Sequence, residues 1–136
     1  MDDSAFEAAV TAVIEEEGGY TADPRDPGGE TKYGISKRAF PEEDIPNLTV
    51  ERAKELYKRS YWYPLLPYGL SPRYQRIAFE SAINQGLTKT RSLVEASKGQ
   101  LDWFLADRAL AYIQDKNFAI YGKGWLRRLF KEALEC

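Results

Sequence analysis

The stretch Ile14-Glu15-Glu16-Glu17-Gly18-Gly19-Tyr20-Thr21-Ala22-Asp23-Pro24-Arg25-Asp26-Pro27-Gly28-Gly29-Glu30-Thr31-Lys32-Tyr33-Gly34-Ile35-Ser36 decides how this chain is read. It opens as the end of a helix. Just upstream, Phe6, Val10, Val13 and Ile14 recur at helical spacing. Ser4-Ala5-Phe6-Glu7 has the form of a capping box, so a helix is predicted over about 4–17. Gly18-Gly19 stops it. Residues 20–35 are rich in Asp, Pro, Gly, Tyr and Thr. They read as a loop or small irregular hairpin, with Tyr20-Thr21-Ala22 and Thr31-Lys32-Tyr33 as its strand-like pieces.

Outward from this segment the pattern is helical. Ser36 is placed to cap a short helix ending before Pro41. Thr49 caps a helix over about 50–62, with Val50, Ala53, Leu56 and Tyr57 inward. Pro64 and Pro67 break the chain. Ser71-Pro72 pairs an N-cap with proline at the first helical position, and Gly86 ends the helix begun there. Two further helices are expected near 88–97 and 102–116, and a last one after Gly122. Trp103, Phe104 and Trp125 are assigned to the core. The expected fold class is mainly α, a single compact domain with one small irregular β element near residues 20–35.

Composition narrows the chemistry. The chain has 136 residues, 43% hydrophobic and 29% charged, enough for one domain with its own core. A net charge of −2 provides no global basic field for nucleic acid. Histidine is absent, which removes every mechanism with a His base and every His-containing metal site. The one cysteine is Cys136, so no internal disulfide can form. No stretch approaches the ~20 apolar residues of a membrane helix. The start, Met1-Asp2-Asp3-Ser4, lacks the basic region of a secretion signal, so a soluble chain made in the cytoplasm is expected, without stable membrane insertion. Residues 1–30 hold nine acids and one base, whereas the remainder holds 12 acids and 18 bases. A basic body around an acidic segment suits an anionic polymer meeting a carboxylate site. Ordinary surface charge is the other reading.

Glu17 is the most informative residue. At 100° per residue it projects within about 60° of the Phe6, Val10, Val13 and Ile14 stripe, whereas Glu15 and Glu16 point elsewhere. Burial on that side would raise its pKa, and the negative end of the helix dipole acts in the same direction. A carboxyl that keeps its proton near neutral pH can serve as a general acid. The competing reading is a solvated glutamate at a helix end. Asp23 and Asp26 sit in a loop shaped by prolines and glycines. Either would complete the carboxylate pair of glycoside hydrolysis, or both are turn formers, and Arg25 can pair with either one. Thr31 is a candidate for positioning a water. Tyr20, Tyr33, Tyr61, Trp62 and Tyr63 are candidates for stacking on sugar rings or bases. Asn84, ahead of Gly86, either faces a cleft or caps its helix. The Gly-Gly pairs lack the following Lys-Ser or Lys-Thr of a phosphate loop.

Together, Glu17-Gly18-Gly19-Tyr20 and Asp23 through Ser36 resemble the opening signature of glycoside hydrolase family 108, phage endolysins and bacterial relatives that act as N-acetylmuramidases on peptidoglycan. Ala53-Lys54-Glu55-Leu56-Tyr57 with Tyr61-Trp62 is similar to the helix closing that family's catalytic half. Phe79-Glu80-Ser81-Ala82-Ile83-Asn84-Gln85-Gly86 resembles the start of its peptidoglycan-binding half, and Gly124-Trp125-Leu126-Arg127-Arg128 resembles that half's last helix. Two departures stand out. Glu80 occupies a position where the family usually has Asp. The chain also runs from Leu93-Val94-Glu95-Ala96-Ser97-Lys98-Gly99 almost directly into the next helix, which shortens the second half.

The resemblance implies a lysozyme-like domain with a catalytic half over 1–66 and a helical half over 67–136. It implies an N-acetylmuramidase that cleaves the β-1,4 bond between N-acetylmuramic acid and N-acetylglucosamine, with the family's catalytic glutamate falling on Glu17. The spacing of Glu17, Asp26 and Thr31 is similar to the Glu/Asp/Thr triad of phage-type lysozymes. By that analogy Asp26 is the partner carboxylate and Thr31 assists the attacking water. Tyr20, Tyr33 and Asn84 are the expected glycan contacts. The expected partner is the peptidoglycan glycan strand, met by a monomer that needs no metal or cofactor. An endolysin would wait in the host cytoplasm until a pore-forming partner opens the inner membrane. The alternatives are a lytic transglycosylase, a non-catalytic wall-binding module, and a bacterial effector with the same chemistry.

Overall fold

The computed structural model describes residues 3–25 and 28–134. The chain divides into two units, 1–64 and 65–136.

In the first unit, α1 spans Ser4–Glu17 and buries Phe6, Ala9, Val10 and Val13. Its N-cap is Asp3, whose carbonyl accepts from the Glu7 N–H at 2.9 Å. Ser4 lies inside the helix and the Asp3 side chain makes no capping hydrogen bond, so Ser4 is not the N-cap that the predicted capping box required. A two-residue hairpin follows: β1 (Thr31–Lys32) pairs antiparallel with β2 (Ile35–Ser36). Its turn is Tyr33-Gly34, both in the left-handed region (φ 55° and 80°), which is the geometry that suits the twist of a tight hairpin. An isolated bridge joins Thr21 to Thr31. Ser36 ends the hairpin. Its hydroxyl accepts from the Ala39 N–H at 3.1 Å and its carbonyl from the Phe40 N–H, so it closes a turn over 37–39 where a short helix was expected.

After a 3₁₀ turn at Ile45–Asn47, Thr49 caps α2 (Val50–Tyr57), accepting from the Arg52 N–H at 3.1 Å. The predicted helix over 50–62 is one α-helix to Tyr57, continued by a wider π turn at Lys58–Trp62 and a 3₁₀ stretch at Tyr63–Tyr68. Helix α2 and the π turn pack against α1. Trp62 meets Phe6 edge-on at 5.4 Å, and Lys54–Glu7 and Lys58–Asp3 ion pairs span the two at 2.9 and 3.0 Å. Burial of Phe6, Val10, Leu56 and Trp62 supplies most of the stabilisation, since exposed ion pairs contribute at most about 1 kcal/mol each.

Among the described residues the second unit holds four α-helices: α3 (Pro72–Gln85), α4 (Leu87–Ser97), α5 (Leu101–Gln114) and α6 (Phe118–Leu134). Consecutive helices pack on one another. Ser71 caps α3 and Gly86, at φ 95°, ends it, as expected from the sequence. Tyr74, Ile77, Val94, Phe104 and Leu129 are buried. Two expectations fail here. Helix α6 starts at Phe118 and runs through Gly122, because that glycine lies against the Phe118 ring of the preceding turn and acts as a packing position. Trp103 is exposed, because Phe104, Arg108 and Tyr112 form the inward stripe of α5 and Trp103 sits about 100° away from it. Trp125 is half-buried between Tyr112 and Tyr121. Among the described residues no helix is long and apolar enough to cross a membrane.

Candidate active site

Glu17 is the last residue of α1. Gly18, at φ 75°, ends the helix and turns the chain, its N–H closing on the Ile14 carbonyl. The hairpin is then held against the segment leaving α1. The Tyr33 N–H donates to the Gly18 carbonyl at 3.0 Å, and Thr21 and Thr31 exchange both backbone hydrogen bonds at 2.8 and 2.9 Å. Their hydroxyls also meet, at 2.6 Å. Thr31 and Tyr33 are thereby fixed beside the chain that carries Glu17.

The hairpin turn packs tightly on Glu17 and Tyr57 at Gly34. A methyl group there would lie 2.9 Å from Glu17 Cγ and 3.2 Å from its Cβ, and closer still to the Tyr57 hydroxyl. That hydroxyl donates to the Tyr33 carbonyl at 2.7 Å, tying α2 to the hairpin turn. Burial raises the ionisation of Tyr57 well above the ordinary tyrosine range, and the neighbouring charges of Glu17 and then Tyr61 add to it. Glu17 thus sits at a corner built from the end of α1, the hairpin turn and the Tyr57 side chain.

One expectation about Glu17 is corrected. The helical spacing placed it on the buried side, yet the residue is exposed. The helix ends at Glu17, so no following turn covers the carboxylate. Its Cβ and Cγ lie close to Gly34 of the hairpin turn.

Asp26 lies outside the described residues. Asp23 is committed to Arg25, which donates to it from the backbone N–H at 2.9 Å and from Nε and Nη2 at 3.2 Å each. The Arg25 contacts hold the Asp23 carboxyl below its ordinary value. Tyr20 is exposed and Tyr33 half-buried. Asn84 belongs to the second unit, where its side-chain amide donates to Glu132 at 3.1 Å. Glu132 also pairs with Arg108, a fully buried guanidinium, at 2.9 Å. A separate cavity of about 480 Å³ beside α2, lined among others by Phe40, Glu43, Arg52 and Arg59, contains none of the predicted site residues.

The residue missed from the sequence is Tyr57, which reads there as an ordinary inward position of α2. The signal was available in Tyr33-Gly34. A two-residue turn with positive φ brings two chain segments close, and a buried tyrosine hydroxyl needs an acceptor of the kind such a turn offers.

The model of the family described as Glycosyl hydrolase 108 matches residues 10–86, a span that holds the C-terminal part of α1, the hairpin, α2 and α3. The structure of Brucella abortus SagA is similar to this chain with a TM-score of 0.79 and 20% sequence identity, covering 96% of this chain and 92% of that one. At that identity the likeness carries the fold, which is mainly helical and lysozyme-like. No curated protein matches this chain. With more than half of its length under the family model, Glu17 and its hairpin corner included, the chain belongs to glycosyl hydrolase family 108.

Proposed function

We propose that this protein is an N-acetylmuramidase that hydrolyses the β-1,4 bond between N-acetylmuramic acid and N-acetylglucosamine, with Glu17 as the general acid. Family membership supports a peptidoglycan hydrolase in general. The observation that carries the finer reading is the corner at Gly34, where the Cβ and Cγ of Glu17 lie against the hairpin turn while the residue as a whole stays exposed. A side chain gripped at Cβ and Cγ has lost rotamer freedom without losing access to substrate. That is the preorganisation an acid catalyst needs.

On this reading the Glu17 proton passes to the departing glycosidic oxygen as the bond from C1 to that oxygen breaks. A water oxygen bonds to C1, and the water's proton returns to a carboxylate. The bound sugar, by covering Glu17, supplies the desolvation that the free protein lacks. Asp26 is the second carboxylate, since both oxygens of Asp23 are already engaged by Arg25. It stabilises positive charge on the sugar, directly or through the attacking water. Thr31 helps to place that water. Tyr20 and Tyr33 flank Glu17 in sequence and hairpin, and with Asn84 they are the proposed glycan contacts. No cofactor enters the scheme. The protein works as a monomer on an insoluble wall polymer, in the manner of an endolysin released from the host cytoplasm.

The test is to incubate the protein and its Glu17→Gln variant with purified peptidoglycan and identify the released ends by mass spectrometry. The expected result is reducing N-acetylmuramic acid ends from the native protein, none from Glu17→Gln, and equal thermal midpoints. Anhydro ends would replace hydrolysis with transglycosylation. Equal release by both proteins would remove Glu17 from the chemistry.

A further inference from the structure

Helix α6 presents an outer face that carries none of the predicted site residues. Ile120, Tyr121, Phe130 and Leu134 are exposed, at 74%, 56%, 59% and 83%. Lys123, Arg127, Arg128 and Lys131 are exposed as well. At 100° per residue all eight fall within about half of the helix circumference, cations and large apolar groups interleaved. The opposite half carries the buried Gly122, Leu129 and Glu132 and the half-buried Trp125 and Leu126. Glu132 is the one acid between Phe118 and Leu134, and it is turned inward to Arg108. Glu135 follows outside the described residues. Single exposed apolar residues are common on soluble proteins, but four on one helical face with four cations are a patch of defined chemistry.

We propose that the outer face of α6 is a peripheral binding surface for anionic lipid bilayers. The charge complementarity is direct. Each Lys or Arg near an anionic membrane strengthens binding about fivefold. The apolar groups argue for lipid over a soluble polyanion, because a polyanion makes no use of Ile120, Phe130 or Leu134. A bilayer interface takes both kinds of group at once, the apolar side chains entering between headgroups while Lys and Arg extend to phosphate. The helix is about 26 Å long and too charged to span, so it lies along the surface. This inference stands apart from the reading of Glu17, and its test involves no wall substrate.

Flotation of the full-length protein is measured with vesicles of phosphatidylcholine alone and with vesicles of equal parts phosphatidylglycerol and phosphatidylcholine. Binding to the anionic vesicles only is expected. Arg127→Gln/Arg128→Gln should weaken it about thirtyfold, and Arg127→Glu/Arg128→Glu about a thousandfold. Ile120→Ser/Phe130→Ser, which keeps every charge, should weaken it at least tenfold. All substitutions are at exposed positions, and circular dichroism checks that each variant is folded. Three results would overturn the proposal. The first is no binding to anionic vesicles. The second is undiminished binding by the Ile120→Ser/Phe130→Ser variant, which would make the face a site for soluble polyanions. The third is concentration-dependent self-association that these substitutions abolish while vesicle binding is unaffected.

Discussion

Replacing Gly34 by alanine tests the corner on which the catalytic reading rests. Two costs add. The backbone at Gly34 has φ 80°, where a residue with a Cβ is strained by about 1–2 kcal/mol. The new methyl also overlaps the Tyr57 hydroxyl, so the Tyr57–Tyr33 hydrogen bond must break, at about 1 kcal/mol. The total is about 2–3 kcal/mol, a fall in thermal midpoint of about 7–10 °C for a chain of this size. Activity should fall further than stability explains. The methyl would lie 2.9 Å from Glu17 Cγ, and restoring ordinary contact moves that atom by about 0.5 Å. Since a 1 Å misplacement of a catalytic group can lower the rate about a hundredfold, a loss of about tenfold is expected at a temperature where the variant is fully folded. The assays are calorimetry and the clearing of a peptidoglycan suspension. The decisive comparison is the same substitution in a Tyr57→Phe background. Without the hydroxyl the overlap is gone while the backbone strain remains, so the stability penalty should shrink by about 1 kcal/mol. Equal penalties in both backgrounds would show that the Tyr57 contact has no energetic role, and native activity in Gly34→Ala would refute the claim that this corner positions Glu17.

Three further outcomes are expected. Tyr57 ionises above the ordinary tyrosine range in the folded state, so the unfolded chain loses that proton first. Stability should therefore fall as pH rises beyond about 10, and Tyr57→Phe should flatten that slope in thermal midpoints measured from pH 8 to 11.5; an unchanged slope counts against it. Glu132→Ala leaves the buried Arg108 charge without its carboxylate and should cost about 3–5 kcal/mol in urea unfolding, whereas replacing both with apolar residues of similar volume should recover most of the loss. On α6, Gly124→Ala meets nothing within 4 Å and should gain about 0.5–1 kcal/mol, while Gly122→Ala strikes the Phe118 ring and should lose about 1–3 kcal/mol, both by chemical denaturation.

Much of the architecture is legible in local sequence because local chemistry decides it. Thr49 and Ser71 cap helices because a hydroxyl accepts a free backbone N–H one turn on. Gly18 and Gly86 end helices because each adopts a positive φ that other residues resist. Where a glycine is instead used for space, the same letter misleads. Gly122 is read as a stop, yet it lies mid-helix against Phe118, and nothing in the neighbouring sequence distinguishes the two uses.

For the candidate site, the sequence by itself determined the residue types, their spacing and the family they belong to. Glu17 at a helix end, the proline-glycine loop and the Thr31–Tyr33 strand are all visible before any fold is known. Only the tertiary structure decided how exposed Glu17 is and what holds it, because helical angle states direction and says nothing of what stands there. Trp103 and Arg108 show the same limit from both sides: an aromatic ring left in solvent and a guanidinium fully buried, each against its usual preference. Burial is a property of the neighbours that long-range contacts bring in. For Glu17 those neighbours are Gly34 and Tyr57, 17 and 40 residues further along the chain.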